Sequence, residues 1–286
     1  MTRATYDRLS IVDFGRQLIT TGDLDPVYIA LNKCGWDQAT MDRWLLAYWC
    51  FYDCGVASYL ADKSEDDDFW EVMMIAAHNE EETPIGGRWR RAAERRHARG
   101  QAAVKMVKDL KGNYWNASRM LEGLRQMESP TCRDVMKWTK MHHLFGDWIG
   151  FKIADMAETV LGIPVSFEQA EVFMFKDPVK AALMVWCDAQ NLPRDARPKD
   201  QAQAIRNVLD HLAKEFAGLR DPSRLGRPLG LQELETVLCK WKSHMNGHYA
   251  LLNDIGEIRG HVEPWTAQSP AAFEFLQHMP DGSVIQ

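Results

Sequence analysis

The sequence predicts an all-α fold, and three observations predict it. Apolar residues recur at spacings of three and four along most of the chain. Residues that cap helices punctuate those stretches. Runs of alternating β-branched residues are nearly absent, so strands amount at most to a short hairpin. Asp25-Pro26 is an N-cap followed by a first-turn proline and opens a helix over 27–33. Asp37 caps the next, which runs through an apolar stretch to residue 60. Further helices are predicted over 67–78, 88–110, 114–127, 131–142, 150–161, 178–190, 199–217, 231–245 and 270–278.

Two Pro/Arg/Asp-rich joints, 191–200 and 219–230, read as surface loops. They divide the chain into a main helical body, 1–190, and a C-terminal helical portion, 191–286. The 286 residues, 46% hydrophobic and 26% charged, have the composition of a globular protein rather than a disordered one. The six cysteines form no C-x-x-C pair and several lie in apolar runs, as reduced core residues do in an intracellular protein. The first residues contain no apolar run of the secretory kind. Residues 44–61 carry a single charge, Asp53, in a stretch just long enough to span a membrane. A central aspartate and mid-run aromatics make it a buried core helix instead, so no membrane partner is expected.

The net charge of −6 conceals a segregation. Residues 61–83 hold nine acidic side chains and one Lys, whereas 88–152 hold fifteen Lys or Arg against six acids. A basic region of that size favours a nucleic acid at one face despite the acidic average.

Four constellations carry chemistry. On a helix, Arg88, Arg91, Arg95 and Arg99 fall within about 80° of one another, with Arg96 at the edge. Such a stripe fits a phosphate-dense ligand, or a solvated face, or a match to the acidic 65–82 region. Asp53, on a helix face with Trp49, Val56 and Leu60, is expected to be partly buried, and burial suits it to general-base work, to pairing with an arginine or to capping another helix. Leu231, Leu234, Leu238, Trp241 and Met245 line one helix face, with Lys242 at its edge and Lys240 and His244 on the other side. His244 and His248 have the spacing of a metal pair, but Asn246-Gly247 ends the helix between them, and no metal site is expected. Residues 149–154, IGFKIA, resemble the hairpin and second helix of a helix-hairpin-helix motif, with Trp148 where the first hairpin glycine usually stands. Such hairpins grip one DNA phosphate without reading bases.

The phrases YWCFYDCGVAS (48–58), GGRWRRAAERRHARG (86–100), HLFGDWIGFKIADMAE (143–158) and LETVLCKWKSHMNGHY (234–249) resemble the alpha-glutamyl/putrescinyl thymine pyrophosphorylases of bacteriophages, also called amino acid:DNA transferases. The resemblance spans most of 22–265 and implies a helical fold related to helix-hairpin-helix DNA glycosylases. It also implies a reaction on double-stranded DNA in the cytoplasm of a bacterial host. A base carrying a 5-pyrophosphorylmethyl group, made by a separate DNA kinase from 5-hydroxymethyluracil, loses pyrophosphate to a small amine or amino acid such as glycine or putrescine. No organic cofactor is demanded, because the departing group is already activated.

In that setting Asp53, Glu94 and His97 are candidates for the base that takes the amine's proton. Arg88, Arg91, Arg95, Arg96 and Arg99, with Lys240 and Lys242, are candidates for the pyrophosphate. Trp49, Trp89, His244, His248 and Tyr249 are candidates for holding an extruded base. Gly146, Trp148, Gly150 and Lys152 are candidates for the DNA backbone. Lys152 stands where bifunctional glycosylases carry a lysine, but no aspartate follows at the expected place, where Glu168 and Glu171 stand instead. Base excision is the alternative enzyme reading, and a non-catalytic DNA-binding helical protein the alternative of another class.

Overall fold

The computed structural model describes residues 7–168, 175–224 and 227–285. The fold is all-α: fourteen α-helices are traced among the described residues, with no strand and only two isolated bridges, Thr131↔Ser166 and Arg220↔Pro228. None of these helices is long and apolar enough to cross a membrane. Contacts divide the chain into two units. The first comprises Met1–Ile29, Phe167–Gly256 and Pro280–Gln286, and the second Ala30–Ser166 and Glu257–Met279. Both joints anticipated from the sequence, 191–200 and 219–230, fall within the first unit.

The first unit packs α1 (Ile11–Thr21), α10 (Lys176–Ala189), α11 (Gln201–Glu215) and α12 (Leu231–Met245). Phe14, Leu18, Ile205, Leu212, Phe216, Leu238 and Trp241 meet in its core. Each such side chain stabilises the fold by roughly 1.5–3 kcal/mol through burial. Helix α1 was not anticipated. Its start is a side-chain cap, Ser10 Oγ accepting from Asp13 N at 3.1 Å, and Gly22 ends it in the left-handed region at φ 74°.

The second unit holds α3 (Gln38–Phe51), α4 (Cys54–Ala61), α5 (Asp66–His78), α6 (Gly100–Asn113), α7 (Ala117–Arg125), α8 (Cys132–Thr139), α9 (Asp147–Thr159) and α14 (Pro270–His278). Helices α2 (Pro26–Leu31) and α13 (Asn253–Val262) cross the unit boundaries. The expected helix over 37–60 is two helices. Tyr52 adopts φ 55°, which stops α3, and Asp53 then caps α4, its Oδ1 accepting from Val56 N at 3.0 Å. Gly55 makes the new start possible, since a Cβ there would lie 2.3 Å from Trp265 Cδ1. Arg125 forms a bidentate pair with Asp42, which has no exposure, and ties α7 to α3.

The expected helix over 88–110 begins only at Gly100. Residues 88–99 form an irregular segment with one 3-10 turn, Ala93–Arg95. Like charges three and four apart oppose a helix there, and each inner guanidinium finds carbonyl oxygens instead.

Candidate active site

Asp53 is the centre of the most distinctive polar cluster. The break at Tyr52 turns its carboxylate inward, leaving the residue 4% exposed. Ala92 N donates to Phe51 O at 3.2 Å, which brings the irregular segment alongside the break. Arg90 Nε then lies 3.5 Å from Asp53 Oδ2, and His261 Nδ1, from α13, lies 3.7 Å from the same oxygen. Arg90 Nη2 also meets His261 Nε2 at 2.5 Å. Burial pushes the Asp53 carboxyl above the usual carboxylate range, opposed by the Val56 N–H, His261 and Arg90. Asp53 is therefore buried as expected, but as a helix cap rather than on a helix face with Trp49.

The arginine stripe does not form. Arg88 donates to the carbonyls of Asn79 and Glu80, and Arg91 to those of Ala76 and Ala98. Arg88 and Arg91 thus serve the negative C-terminal end of α5, by its backbone rather than by the acidic side chains of 65–82. Arg95 is buried, donating to Cys50 O at 3.0 Å and Leu144 O at 2.7 Å, with its guanidinium 5.2 Å from the Phe145 ring. Losing it leaves two carbonyls without donors, at about 1–3 kcal/mol each. Burial lowers the pKa of Arg91 to about 10, with Arg99 and Arg95 adding to the effect. Arg96 and Arg99 are exposed, and their side chains make no hydrogen bond or ion pair among the described residues.

Glu94 and His97 are both exposed, and His97 lines an open cleft of about 600 Å³ with Lys140, His143 and Gly146. His142, also in its wall, is buried and held by Thr139 O and Tyr114 Oη, and burial lowers its pKa. Gly146 is the N-cap of α9. Gly150 is not in a hairpin: it lies inside α9, its N–H bonded to Gly146 O at 3.0 Å, because α9 starts at Asp147. The N–H groups open to a phosphate are those of the first turn, beside Trp148. Lys152 sits near Asp155 at 3.7 Å. Glu168 is exposed, and Glu171 lies outside the described residues.

The aromatic candidates divide by exposure. Trp49 is fully buried with its indole N–H on Met156 Sδ, and Trp89 is buried against Tyr59 and Trp265. Two partly exposed rings meet near the Asp53 cluster, Trp148 and Tyr52, the second missed by sequence reasoning, in edge contact at 4.7 Å.

In the first unit, Lys240 Nζ donates to Asp23 O and Leu24 O at 2.6 Å each and pairs with Asp254 at 2.7 Å. Lys242 pairs with Asp177 at 2.7 Å. His244 is buried, with Nδ1 on Tyr249 O and Nε2 accepting from Leu9 N. Tyr249 Oη donates to Asp23 Oδ2 at 2.9 Å, and burial pushes its own pKa upward. His248 is exposed. No group of three or more His, Cys, Asp or Glu among the described residues is arranged to hold a metal. Arg90 lies in the 86–100 phrase but off the arginine stripe read there, and His261 lies in no motif; their meeting spans 171 residues, which is why both were missed.

The sequence matches the family described as amino acid:DNA transferase over residues 19–248. It is 44% identical to a glycinyltransferase of Pseudomonas phage PaMx11, across 96% of this chain and 98% of that protein. It is 25% identical to a putrescinyltransferase of Delftia phage PhiW-14, across 94% of this chain and 82% of that protein.

Proposed function

The chain belongs to the amino acid:DNA transferase family, and from that premise we propose that it replaces pyrophosphate on a 5-pyrophosphorylmethyluracil base in double-stranded DNA with an amine. The product is a hypermodified thymine. The 44% relative, a glycinyltransferase, favours glycine as the amine. A DNA kinase acting on 5-hydroxymethyluracil supplies the substrate, in the cytoplasm of a phage-infected host.

The observation that carries the chemistry to a place in the fold is the buried Asp53 carboxylate with Arg90 and His261 at 3.5 and 3.7 Å. An incoming amine is mostly protonated at neutral pH and must give up a proton before it attacks. The departing pyrophosphate is a polyanion, and the exposed guanidinium groups of Arg90, Arg96 and Arg99 suit it. Base chemistry inside a duplex needs the nucleotide extruded, and the partly exposed Tyr52 and Trp148 rings offer stacking faces. The first turn of α9 offers N–H groups to a backbone phosphate.

The test is mass spectrometry of nucleosides from 5-hydroxymethyluracil DNA, treated with the cognate kinase and then with this protein and a mixture of amines. A thymidine derivative heavier by glycine, formed only when both proteins are present, is the expected result. Pyrophosphorylated base left unchanged, or free base released, overturns the reading.

A further inference from the structure

The tautomer of His261 can be read from its neighbours. A guanidinium donates and cannot accept, so the contact of Arg90 Nη2 with His261 Nε2 at 2.5 Å requires a lone pair on Nε2. The neutral ring then carries its proton on Nδ1, which faces Asp53 Oδ2 at 3.7 Å. The charged groups around the ring are Asp53 from the α3–α4 junction, Arg90 from the irregular segment and Glu257 on α13 itself, 3.9 Å from Nε2. Exposure is graded across the set: 3% for the Asp53 side chain, 22% for His261 and 58% for Arg90.

Resting on the transferase reading above, we propose that His261 Nε2 takes the proton of the incoming amine, with Asp53 a positioning residue behind Nδ1 and Arg90 covering Nε2 until pyrophosphate draws it away. Asp53 is too enclosed to meet an amine, and its Oδ1 already accepts from Val56 N. His261 has one edge on Asp53 and the other toward solvent. Arg90 is long and exposed, and a pyrophosphate gives it several charge-assisted bonds in place of one contact with a neutral ring and a 3.5 Å approach to Asp53. While Arg90 stays, it occupies the lone pair of Nε2; once it leaves, that lone pair is free to take a proton. Proton removal is thereby tied to arrival of the activated DNA base. The 3.7 Å separation from Asp53 is longer than a hydrogen bond, and catalytic contacts of this kind tighten when substrate binds.

The step balances. The ammonium of glycine gives one proton to Nε2, and the freed lone pair forms the N–C bond to the 5-methylene carbon. The C–O bond breaks and its electron pair leaves on pyrophosphate. The product is a secondary ammonium, and the imidazolium returns its proton to solvent.

The experiment offers glycine and methoxyamine separately to the wild-type protein, His261→Ala and His261→Gln on kinase-treated DNA, with nucleosides read by mass. Methoxyamine is unprotonated at neutral pH and needs no base. Both variants are expected to lose glycine transfer by about 10²-fold or more and methoxyamine transfer far less. Added imidazole restores part of the glycine transfer of His261→Ala. In His261→Gln the acid limb of the kcat/KM profile is absent. Equal loss with both amines assigns His261 a structural role, and unchanged glycine transfer assigns the proton to another group; either overturns the proposal. A wild-type protein that transfers neither amine overturns the transferase reading, and this proposal with it.

Discussion

Asp23 in the first unit and Asp53 in the second are both carboxylates removed from water, at 0% and 4% exposure, and burial pushes both above the usual carboxylate range. Their surroundings differ. Asp23 accepts from Tyr249 Oη, Leu252 N and Ile255 N at 2.8–3.0 Å, so both its oxygens are engaged. The neighbouring Lys240 spends its donors on two carbonyls and Asp254. Asp53 has the cap bond to Val56 N on Oδ1, while Oδ2 faces the Arg90 guanidinium at 3.5 Å and the His261 ring at 3.7 Å, both reaching outward to solvent. Equal burial therefore separates into two uses. A carboxylate enclosed by short donors holds a fold together, whereas one with an oxygen in loose contact with a partly exposed guanidinium and imidazole retains the freedom that chemistry needs.

The largest expected effect breaks the second of these. Asp53→Asn keeps the cap, since asparagine caps as well as aspartate, but removes the negative charge behind His261. Glycine transfer is expected to fall by about 10²-fold or more, with the denaturant midpoint nearly unchanged. A variant that instead unfolds, or one that turns over normally, erases the distinction between the two sites. Asp23→Ala is expected to act in the opposite sense. It strands a tyrosine hydroxyl and two backbone N–H groups, at about 3–5 kcal/mol of stability, measured by urea unfolding.

These differences set what could be read in the sequence. Helices with a continuous apolar face were legible: α12 and α14 have the anticipated bounds, and α5 begins one residue early. Asp53 was legible as a buried acid, because it is the one charge in an apolar run. Capping was one of the readings open to it, but the break that makes it a cap was not legible, because that rests on Tyr52 taking a left-handed conformation that no turn residue announces. Helix α1 was legible in principle, with Ser10 ahead of Ile11, Phe14 and Leu18, and was overlooked. Helix α13 has two internal glycines, Gly256 and Gly260, and little apolar face, so its His261 escaped notice. The arginines misled because composition records their charge and not their acceptors: Arg88, Arg91 and Arg95 serve carbonyls.

A smaller change sharpens the comparison at Tyr249. Tyr249→Phe keeps the ring and removes one donor to Asp23. Stability is expected to fall by about 1 kcal/mol, seen as a lower unfolding midpoint, with transfer at saturating DNA unchanged. Loss of transfer without loss of stability draws Tyr249 back toward the substrate and makes Asp23 a second functional acid.

The smallest effect is a slope. For a carboxyl whose folded pKa lies above its unfolded value, the folded state binds more protons between the two, so unfolding free energy falls as pH rises through that window. The contribution is fully present below the ordinary carboxylate value of about 3.9 and lost above the raised one. Asparagine at position 53 does not titrate. The unfolding free energy of the wild-type protein minus that of Asp53→Asn is therefore expected to decrease steadily as pH climbs from about 4 toward neutrality. Urea titrations at closely spaced pH values measure it. A difference that stays flat places the proton on neither state preferentially, and one that rises means that Arg90 and His261 outweigh burial at Asp53. Either result makes Asp53 a paired structural acid like the carboxylates that hold helices together, and moves the search for the group that positions the base away from the α3–α4 junction.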